Sequence, residues 1–390
     1  MNIRRYFTSS LAKRLDERLN FLQVIVGPRQ VGKSTGAAEI VAEWPGPKIM
    51  VSADSPAPPP PEWIASHWLR TRDLGPGTLL VFDEIHKVAG WAEAVKFLFD
   101  QDRAARNIKV VLLGSASLSL QTGLGESLAG RYELIKVDHW DWLENQKAFS
   151  WGLEQHLAFG GYPAPAELIN DIPRWQSFMC DSIIEPVLTR DILGLARIHK
   201  PALFRQTLSL ALKSPAQIVS YQKLLGQLQD QGNVTTIKHY LELFESAFLL
   251  KLIPKYSGGE FAAHRASPKI LPLCPALCHA FVDPRRLQSD PDWRGRVFEA
   301  VIGARLSKSR GKLFYWQERH SELDYVLLLN DKLYAIEVKS GRSRNSFSMK
   351  AFLRQHPEAI PVTLDYADAS QALLCDDIDQ FISAGGNARS

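Results

Sequence analysis

The fold of this chain is decided by residues 27–34, whose sequence is Gly27-Pro28-Arg29-Gln30-Val31-Gly32-Lys33-Ser34. This stretch matches the phosphate-binding pattern G-x-x-x-x-G-K-[S/T] in full. The apolar run 21–26 before it predicts a strand, and residues 35–42 after it predict a helix. In that context the glycines allow backbone N–H groups to surround phosphate oxygens, and the helix N-terminus adds a positive dipole end.

The pattern predicts a bound nucleoside triphosphate, so the cofactors that we expect are ATP and Mg²⁺. Lys33 should reach the β- and γ-phosphates, and the Ser34 hydroxyl should bind the magnesium ion. The residues predicted to contact the cofactor are Gly27, Pro28, Arg29, Gln30, Val31, Gly32, Lys33, Ser34 and Thr35.

Two adjacent carboxylates form the second part of the predicted nucleotide site. The apolar run 78–82 ends in Asp83 and Glu84, about fifty residues after the P-loop lysine. We expect Asp83 to complete the magnesium shell and Glu84 to polarise the attacking water as a general base. An apolar strand that ends in two acids is common, but after a complete P-loop it favours a hydrolytic site.

Length and composition limit the remaining possibilities. The chain has 390 residues, which suggests two or three domains. Its 46 Lys and Arg against 42 Asp and Glu give a net charge of +4, so any nucleic-acid surface must be local. Four cysteines are too few for a disulfide scaffold. Without a secretory signal pattern or an apolar run of about 18–20 residues, we expect a cytoplasmic protein with no membrane partner.

Short apolar runs in the first part of the chain predict an α/β fold with a parallel sheet. Such runs alternate with helical stretches, as strands buried on both faces require. The predicted strands are 21–26, 48–52, 78–82, 108–113 and 133–137.

With these elements in place, the N-terminal part resembles an AAA+ ATPase. The resemblance implies that Ser115, after the fourth strand, senses the γ-phosphate. It also implies that Arg131 is an arginine finger offered to a neighbouring subunit, which would require a homo-oligomer, possibly a hexameric ring. The alternatives are an ordinary turn serine at residue 115 and a surface or interface arginine at residue 131.

The middle of the chain predicts a helical lid and then a winged helix. Residues 220–228 and 235–248 have helix-turn-helix spacing, and the apolar run 249–253 could form a wing strand. The side chains predicted to face a DNA major groove are Thr235, Thr236, Lys238 and His239. Winged helices also serve as plain interaction modules, so a protein partner is the alternative.

Residues 294–340 predict a helix, a strand, a turn and a second strand, and each element carries acids. Glu299 stands among apolar residues of the helix, and Asp324 enters the first strand. Period-two geometry places Glu337 and Lys339 on one face of the second strand. Carboxylates with one amine around a point suit Mg²⁺-assisted hydrolysis of a phosphodiester.

This pattern resembles the PD-(D/E)xK nuclease core, with Glu299, Asp324, Glu337 and Lys339 as its site residues. The order of domains is similar to that of the DUF4143 family of ATP-binding proteins, although Gln317 replaces an expected Arg. The motifs that carry this resemblance are 160–163, 295–299, Trp316, 323–324 and 336–339. The predicted domains are an AAA+ core (1–140), a lid (141–210), a winged helix (211–260) and a nuclease-like domain (261–390).

The resulting hypothesis is a Mg²⁺-dependent ATPase that acts on DNA, with a nuclease-like domain that either cleaves or only binds DNA. Nine Lys and Arg against four Asp and Glu between residues 284 and 320 fit a phosphate-backbone contact, and a merely solvated basic face is the alternative. One alternative is a nucleotide-gated switch or scaffold that binds a protein partner and has an inert nuclease fold. Another is a nuclease whose ATPase only controls assembly.

Overall fold

A computed structural model describes residues 3–19, 21–103, 108–114, 124–125, 127–193, 198–228, 233–257, 266–340 and 347–386. Their contacts divide the chain into two compact units. The first unit contains Met1–His139 and Glu185–Arg197, and the second contains Trp140–Ile184 and Ile198–Ser390. The predicted domain boundaries at residues 140, 210 and 260 stay predictions.

The first unit is built on a five-stranded sheet in which every strand pairing is parallel, so the predicted α/β fold with a parallel sheet is confirmed. The strand order is β2-β3-β4-β1-β5. The strands are β1 (Leu22–Val26), β2 (Lys48–Ser52), β3 (Thr78–Asp83), β4 (Ile108–Leu113) and β5 (Tyr132–Lys136). Because β1 and β3 are parallel and separated only by β4, their carboxyl ends meet at one edge of the sheet.

Helices cover this sheet, and its central strands are apolar and buried as a two-sided parallel sheet requires. The described helices are α1 (Tyr6–Asp16), α2 (Lys33–Glu43), α3 (Pro61–Asp73) and α4 (Trp91–Asp102), with a 3₁₀ turn at Ile85–Lys87 and a π-helical segment at Val187–Leu193. Helix α1 packs against α2 at Gly36, where a Cβ atom would lie 2.6 Å from Phe7 Cζ.

The second unit is largely helical around two sheets. Its described helices are α5 (Trp142–Phe149), α6 (Leu153–Phe159), α7 (Ile172–Phe178), α8 (Pro201–Leu212), α9 (Tyr221–Gly226), α10 (Val234–Ser246), α11 (Pro275–His279), α12 (Arg286–Ser289), α13 (Pro291–Leu306), α14 (Phe347–Gln355), α15 (Tyr366–Leu374) and α16 (Ile378–Ser383). A 3₁₀ segment spans Ala164–Leu168, and a π-helical segment spans Met179–Ile184. Nowhere in the described ranges is a helix long and apolar enough to cross a membrane.

The smaller sheet of the second unit is antiparallel and has the order β6-β8-β7. Its strands are β6 (Gln217–Ile218), β7 (Leu250–Ile253) and β8 (Lys269–Pro272). Helices α9 and α10 lie between β6 and β7 in the chain, so two helices are followed directly by a β-hairpin.

The larger sheet has the order β12-β11-β10-β9. Its strands are β9 (Lys312–Glu318), β10 (Ser321–Leu329), β11 (Lys332–Val338) and β12 (Ile360–Leu364). Strands β9, β10 and β11 are antiparallel neighbours, whereas β12 runs parallel to β11 after the connecting helix α14. The predicted helix, strand, turn and strand correspond to α13, β10 and β11, whereas β9 and β12 were not predicted. This sheet confirms the predicted C-terminal α/β region.

Candidate functional site

The P-loop begins where buried strand β1 ends and closes where helix α2 begins. Gly32 adopts a left-handed conformation with φ of +88° immediately before the helix. A Cβ atom on Gly27 would lie only 2.1 Å from the carbonyl oxygen of Val137, which follows β5. Both glycines of the motif are therefore required by the backbone, one for its torsion angle and one for close packing.

Lys33 lies inside the loop, with 7% of its surface exposed. Its Nζ donates hydrogen bonds to the carbonyl oxygens of Gly27, at 3.0 Å, and Pro28. Burial lowers the pKa of Lys33 to about 8, although the nearby Glu84 carboxylate opposes this shift. The ammonium group is thus poorly hydrated, which strengthens its attraction for a phosphate.

The structure brings Ser34 together with Asp83, as a shared magnesium ion would require. Burial raises the pKa of Asp83, and the neighbouring Ser34 hydroxyl opposes this rise. Glu84 has a positive φ of 54°, and its backbone N–H donates to Asp83 Oδ1 at 3.1 Å. Hydroxyl and carboxylate oxygens are ligands that Mg²⁺ accepts, so the residues present fit the ion.

Glu84 has a carboxylate oxygen available for a water molecule. Its Oε2 is buried and accepts no hydrogen bond from the residues that the structure describes. The imidazole of His86 lies beside this oxygen, with its Nε2 3.6 Å away. Burial lowers the pKa of His86 to about 4, so this imidazole is neutral at pH 7 and does not neutralise Glu84.

Two residues that the sequence did not single out hold the P-loop. Arg5 is buried and donates to the carbonyl oxygens of Val31, at 2.5 Å, and Asp138, at 2.8 Å. Asp191 binds the guanidinium of Arg29 through both carboxylate oxygens. A lone charged residue has no spacing signal, and only an alignment or a structure could have identified it.

The resemblance to AAA+ ATPases implied roles for Ser115 and Arg131, and the structure describes only the second of these residues. Ser115 lies outside the described residues. Arg131 lies just before β5, where Nε donates to Asp100 Oδ1 at 2.7 Å and Nη2 donates to Asp100 Oδ2 at 2.8 Å. The Arg131 guanidinium is therefore already engaged by a carboxylate of its own chain.

The four predicted C-terminal residues line one cleft, of about 420 Å³. Glu299 comes from α13, Asp324 from β10, and Glu337 and Lys339 from β11 and its end. The backbone N–H of Val338 donates to Asp324 Oδ2 at 2.8 Å, which fixes one acid beside the other strand. Lys339 Nζ donates to Glu337 Oε1, whereas Glu337 Oε2 is buried without a hydrogen bond from any described residue.

Lys269 is the residue of this region that sequence reasoning missed. It has no exposed surface, and its Nζ donates to Glu299 Oε1 at 2.7 Å and to the Asp324 carbonyl oxygen at 3.2 Å. Glu322 Oε1 also lies 2.8 Å from this nitrogen. Because Lys269 lies thirty residues before Glu299 in the sequence, no local spacing connects them.

Charge and burial act together on the cleft. Burial and the neighbouring Asp324 raise the pKa of Glu299, and Lys269 opposes that rise. Burial by itself would lower the pKa of Lys269, but the carboxylates outweigh it and raise the pKa overall. Of the described His, Cys, Asp and Glu side chains, no three are grouped closely enough to hold a metal ion. Mg²⁺ commonly takes only one or two carboxylates and keeps several waters, which Asp324 and Glu337 could provide.

Helix α10 has one buried face and one exposed face. Ile237, Tyr240 and Phe244 are buried on the first, whereas Thr235, Lys238 and His239 are exposed on the second. Thr236 is half-buried, and its backbone N–H donates to Oδ1 of Asn233, the N-cap residue of this helix, at 2.7 Å. Three of the four side chains predicted to face DNA are therefore exposed.

Comparison with protein families divides the chain into three matched regions. Residues 20–144 match an AAA domain, residues 150–288 match a domain of unknown function (DUF8612), and residues 294–380 match another (DUF4143). An uncharacterized protein of Mycobacterium tuberculosis is 26% identical over 340 residues, which cover 84% of this chain and 73% of the relative. A protein of Mycobacterium bovis matches with the same values.

Two solved structures are similar to parts of this chain. The Walker-type ATPase of Pyrococcus abyssi is 14% identical, with a TM-score of 0.49, over 72% of this chain and 96% of its own. RuvB of Thermotoga maritima is 16% identical, with a TM-score of 0.32, over 63% of this chain and 86% of its own. By the matches to the family models, this chain carries an AAA domain over residues 20–144 and a DUF4143 domain over residues 294–380.

Proposed function

We propose that this protein is a Mg²⁺-dependent ATPase that acts on DNA through its second unit. The observation that carries the ATPase part is the position of the Ser34 hydroxyl beside the Asp83 carboxylate, next to the buried Lys33. One hydroxyl, one carboxylate and one ammonium then converge at the end of β1, where the triphosphate tail would lie. The AAA family match gives the reaction class, and this geometry supports the roles of individual residues.

Each residue has a separate task in hydrolysis. Magnesium, when bound, neutralises charge on the β- and γ-phosphate oxygens. Ser34 and Asp83 hold that ion, and the Lys33 ammonium binds the phosphates after it exchanges the Gly27 and Pro28 carbonyl oxygens for them. Glu84 uses its buried Oε2, which accepts no hydrogen bond from the described residues, to orient the attacking water and to accept its proton.

The roles of Arg131 and Ser115 stay proposals that depend on assembly and on the γ-phosphate. In the single chain, Asp100 accepts hydrogen bonds from the Arg131 guanidinium. As an arginine finger, Arg131 would therefore have to leave Asp100 and reach the nucleotide of a neighbouring subunit. A homo-oligomer, such as a hexameric ring, follows only if that exchange occurs. Ser115 would contact the γ-phosphate within one subunit.

Contact with DNA is supported by the winged-helix arrangement of the second unit. Helices α9 and α10 precede the hairpin formed by β7 and β8, which is the order of a helix-turn-helix followed by a wing. The exposed Thr235, Lys238 and His239 provide donors and one fixed positive charge on α10. Contacts of this kind to phosphates weaken as salt concentration rises.

Measuring ATP hydrolysis with and without single- and double-stranded DNA, at two salt concentrations, tests the proposal. We expect DNA to stimulate hydrolysis, the stimulation to fall at higher salt, and Lys33→Ala to abolish hydrolysis under all conditions. Rates that DNA does not change would contradict the DNA part and favour the nucleotide-gated switch that binds a protein partner. A wild-type protein without ATP hydrolysis would contradict the whole proposal.

A second activity, metal-dependent cleavage of DNA, is favoured by the cleft that collects Glu299, Asp324, Glu337 and Lys339. Magnesium bound there would polarise a phosphodiester and lower the pKa of a water molecule. Asp324 and Glu337 would hold the ion, and Lys339 would orient the water. The PD-(D/E)xK arrangement is supported by the order α13-β9-β10-β11-α14-β12, in which β12 returns parallel to β11.

Nicking of supercoiled DNA in Mg²⁺ tests this second activity. We expect nicking to disappear in Asp324→Ala and in Lys339→Ala and to persist in Lys33→Ala, which removes only the ATPase. If purified wild-type protein does not nick DNA, the nuclease fold is inert and its acids serve the structure, as the pairing of Glu299 with Lys269 already does in part.

A further inference from the structure

The P-loop contains an ion pair that the phosphate-binding motif does not require. Arg29 Nε donates to Asp191 Oδ2 at 2.6 Å, and Arg29 Nη2 donates to Asp191 Oδ1 at 2.5 Å. The Asp191 side chain is 4% exposed, and that of Arg29 is 21% exposed. This is a nearly buried, bidentate contact, a geometry that holds a guanidinium in one orientation.

The pair is too costly to break during each cycle of nucleotide binding. Removing one partner of a buried ion pair leaves an uncompensated charge in a poorly hydrated site, which is strongly destabilising. Asp191 uses two of the five N–H groups of the guanidinium. No other side chain in the described part of the protein accepts a hydrogen bond from Arg29, so donors are left for a ligand.

The charge of Arg29 lies within the electrostatic reach of the nucleotide site. Arg29 stands four residues before Lys33 in the same loop. Its positive charge contributes to the lowered pKa of Lys33, and the Glu84 carboxylate contributes to the raised pKa of Arg29. The loop therefore presents two cations, and Asp191 fixes the direction of one of them.

We propose that Asp191 is a positioning residue that holds the Arg29 guanidinium as a second phosphate-binding cation beside Lys33, where it contacts the γ-phosphate. This inference rests on the proposed ATPase and adds a cation supplied by the same chain, independent of Arg131. Arg29 is then the residue that distinguishes ATP from ADP, because only ATP offers the terminal phosphate.

The position of Asp191 in the chain gives this contact a further consequence. Asp191 lies in Glu185–Arg197, which joins the P-loop unit although the residues before and after it belong to the second unit. A γ-phosphate on Arg29 would stabilise the packing of this segment against the loop. The nucleotide state is then sensed by the segment of chain that connects covalently to the second unit on both sides.

Isothermal titration calorimetry of the full chain with Mg²⁺ tests the proposal by comparing AMPPNP, a non-hydrolysable ATP analogue, with ADP. We expect Asp191→Asn to weaken AMPPNP binding about tenfold or more, the loss of one charge-assisted contact, and to leave ADP binding nearly unchanged. The matched control is Asp379→Asn in the second unit, where a 5% exposed carboxylate also binds an arginine, Arg310, at 2.6 Å. This control should not change the affinity for either nucleotide.

The double variant Arg29→Met with Asp191→Asn removes both charges, so no unpaired charge is buried if the single variant fails to fold. It should show the same selective loss for AMPPNP. Equal weakening of AMPPNP and ADP, or no change in either, would overturn the inference, because a merely structural role does not distinguish the γ-phosphate. If the wild-type protein binds neither nucleotide, the proposed ATPase is wrong instead.

Discussion

Lys269 Nζ lies 2.7 Å from Glu299 Oε1, although Lys269 has no exposed surface. The ammonium has three N–H donors, and the other two face Glu322 Oε1 at 2.8 Å and the Asp324 carbonyl oxygen at 3.2 Å. Lys269 belongs to β8 of the three-stranded sheet, whereas its partners belong to α13 and β10. One side chain therefore links the proposed winged helix to the acid cleft.

Removing that ammonium should be strongly destabilising. We expect Lys269→Met to lower the free energy of unfolding of the second unit by about 3–5 kcal/mol, because Glu299 and Glu322 lose their shared counterion. Urea denaturation followed by far-UV circular dichroism measures this loss. Lys339→Met is the comparison, since the Lys339 side chain is 21% exposed and should cost much less. Equal stability of wild type and Lys269→Met would show that the buried ion pair is dispensable.

A methyl group at Gly27 should disrupt the P-loop. Because its Cβ would lie 2.1 Å from the Val137 carbonyl oxygen, the loop must move away from β5 in Gly27→Ala. We expect the free energy of unfolding of the first unit to fall by about 1–3 kcal/mol and nucleotide binding to be lost. Gly226→Ala is the control, because its Cβ would meet open space at the end of α9. Thermal unfolding and nucleotide titration of both variants check the prediction, and unchanged binding in Gly27→Ala would refute it.

Acid should destabilise the second unit through its buried histidine His156. Burial lowers the pKa of His156 from 6.5 to about 4, and its Nδ1 lies 3.0 Å from Asn145 Nδ2. Between these pH values His156 is protonated in the unfolded chain but not in the folded chain. The free energy of unfolding therefore falls as the pH decreases from 6.5 to 4. The loss should reach about 3 kcal/mol at pH 4.

Denaturant titrations at pH 7, 5.5 and 4 measure this dependence. We expect His156→Gln to reduce the change between pH 7 and pH 4 without abolishing it, because burial also lowers the pKa of His279 in the same unit to about 4. The exposed His320→Gln should leave the change as in the wild type. If His156→Gln retains the full wild-type dependence, the acid sensitivity comes from other groups, and the prediction for His156 is wrong.

Lys238 should contribute one phosphate contact to DNA binding. It is exposed on α10, and its Nζ lies 3.9 Å from Glu242, a weak pair that DNA can displace. We expect Lys238→Gln to weaken DNA binding and to reduce the slope of log affinity against log salt by about 1. Fluorescence anisotropy with labelled duplex at several salt concentrations measures that slope. The exposed Lys147→Gln on α5 should leave it unchanged, and a wild-type slope in Lys238→Gln would place the DNA contact elsewhere.

Local patterns predicted the elements of the nucleotide site closely. The runs 48–52 and 108–113 coincide with β2 and β4, and the run 78–82 ends one residue before β3 does. Strands buried on both faces are continuous apolar runs, so their limits are visible without a partner. Strand β9 was missed although it contains the apolar run Leu313–Trp316, of which only Tyr315 and Trp316 are buried.

The sequence by itself determined the P-loop, the pair Asp83 and Glu84, the parallel sheet and the set of four C-terminal residues, because each depends on spacing along one segment. Only the tertiary structure decided the partners of these residues. Asp191 reaches Arg29 across 162 positions, Asp100 occupies Arg131, and Lys269 neutralises Glu299. The buried charges among these, on Asp191 and Lys269, need counterions at a particular point in space, and sequence spacing has no information about that point.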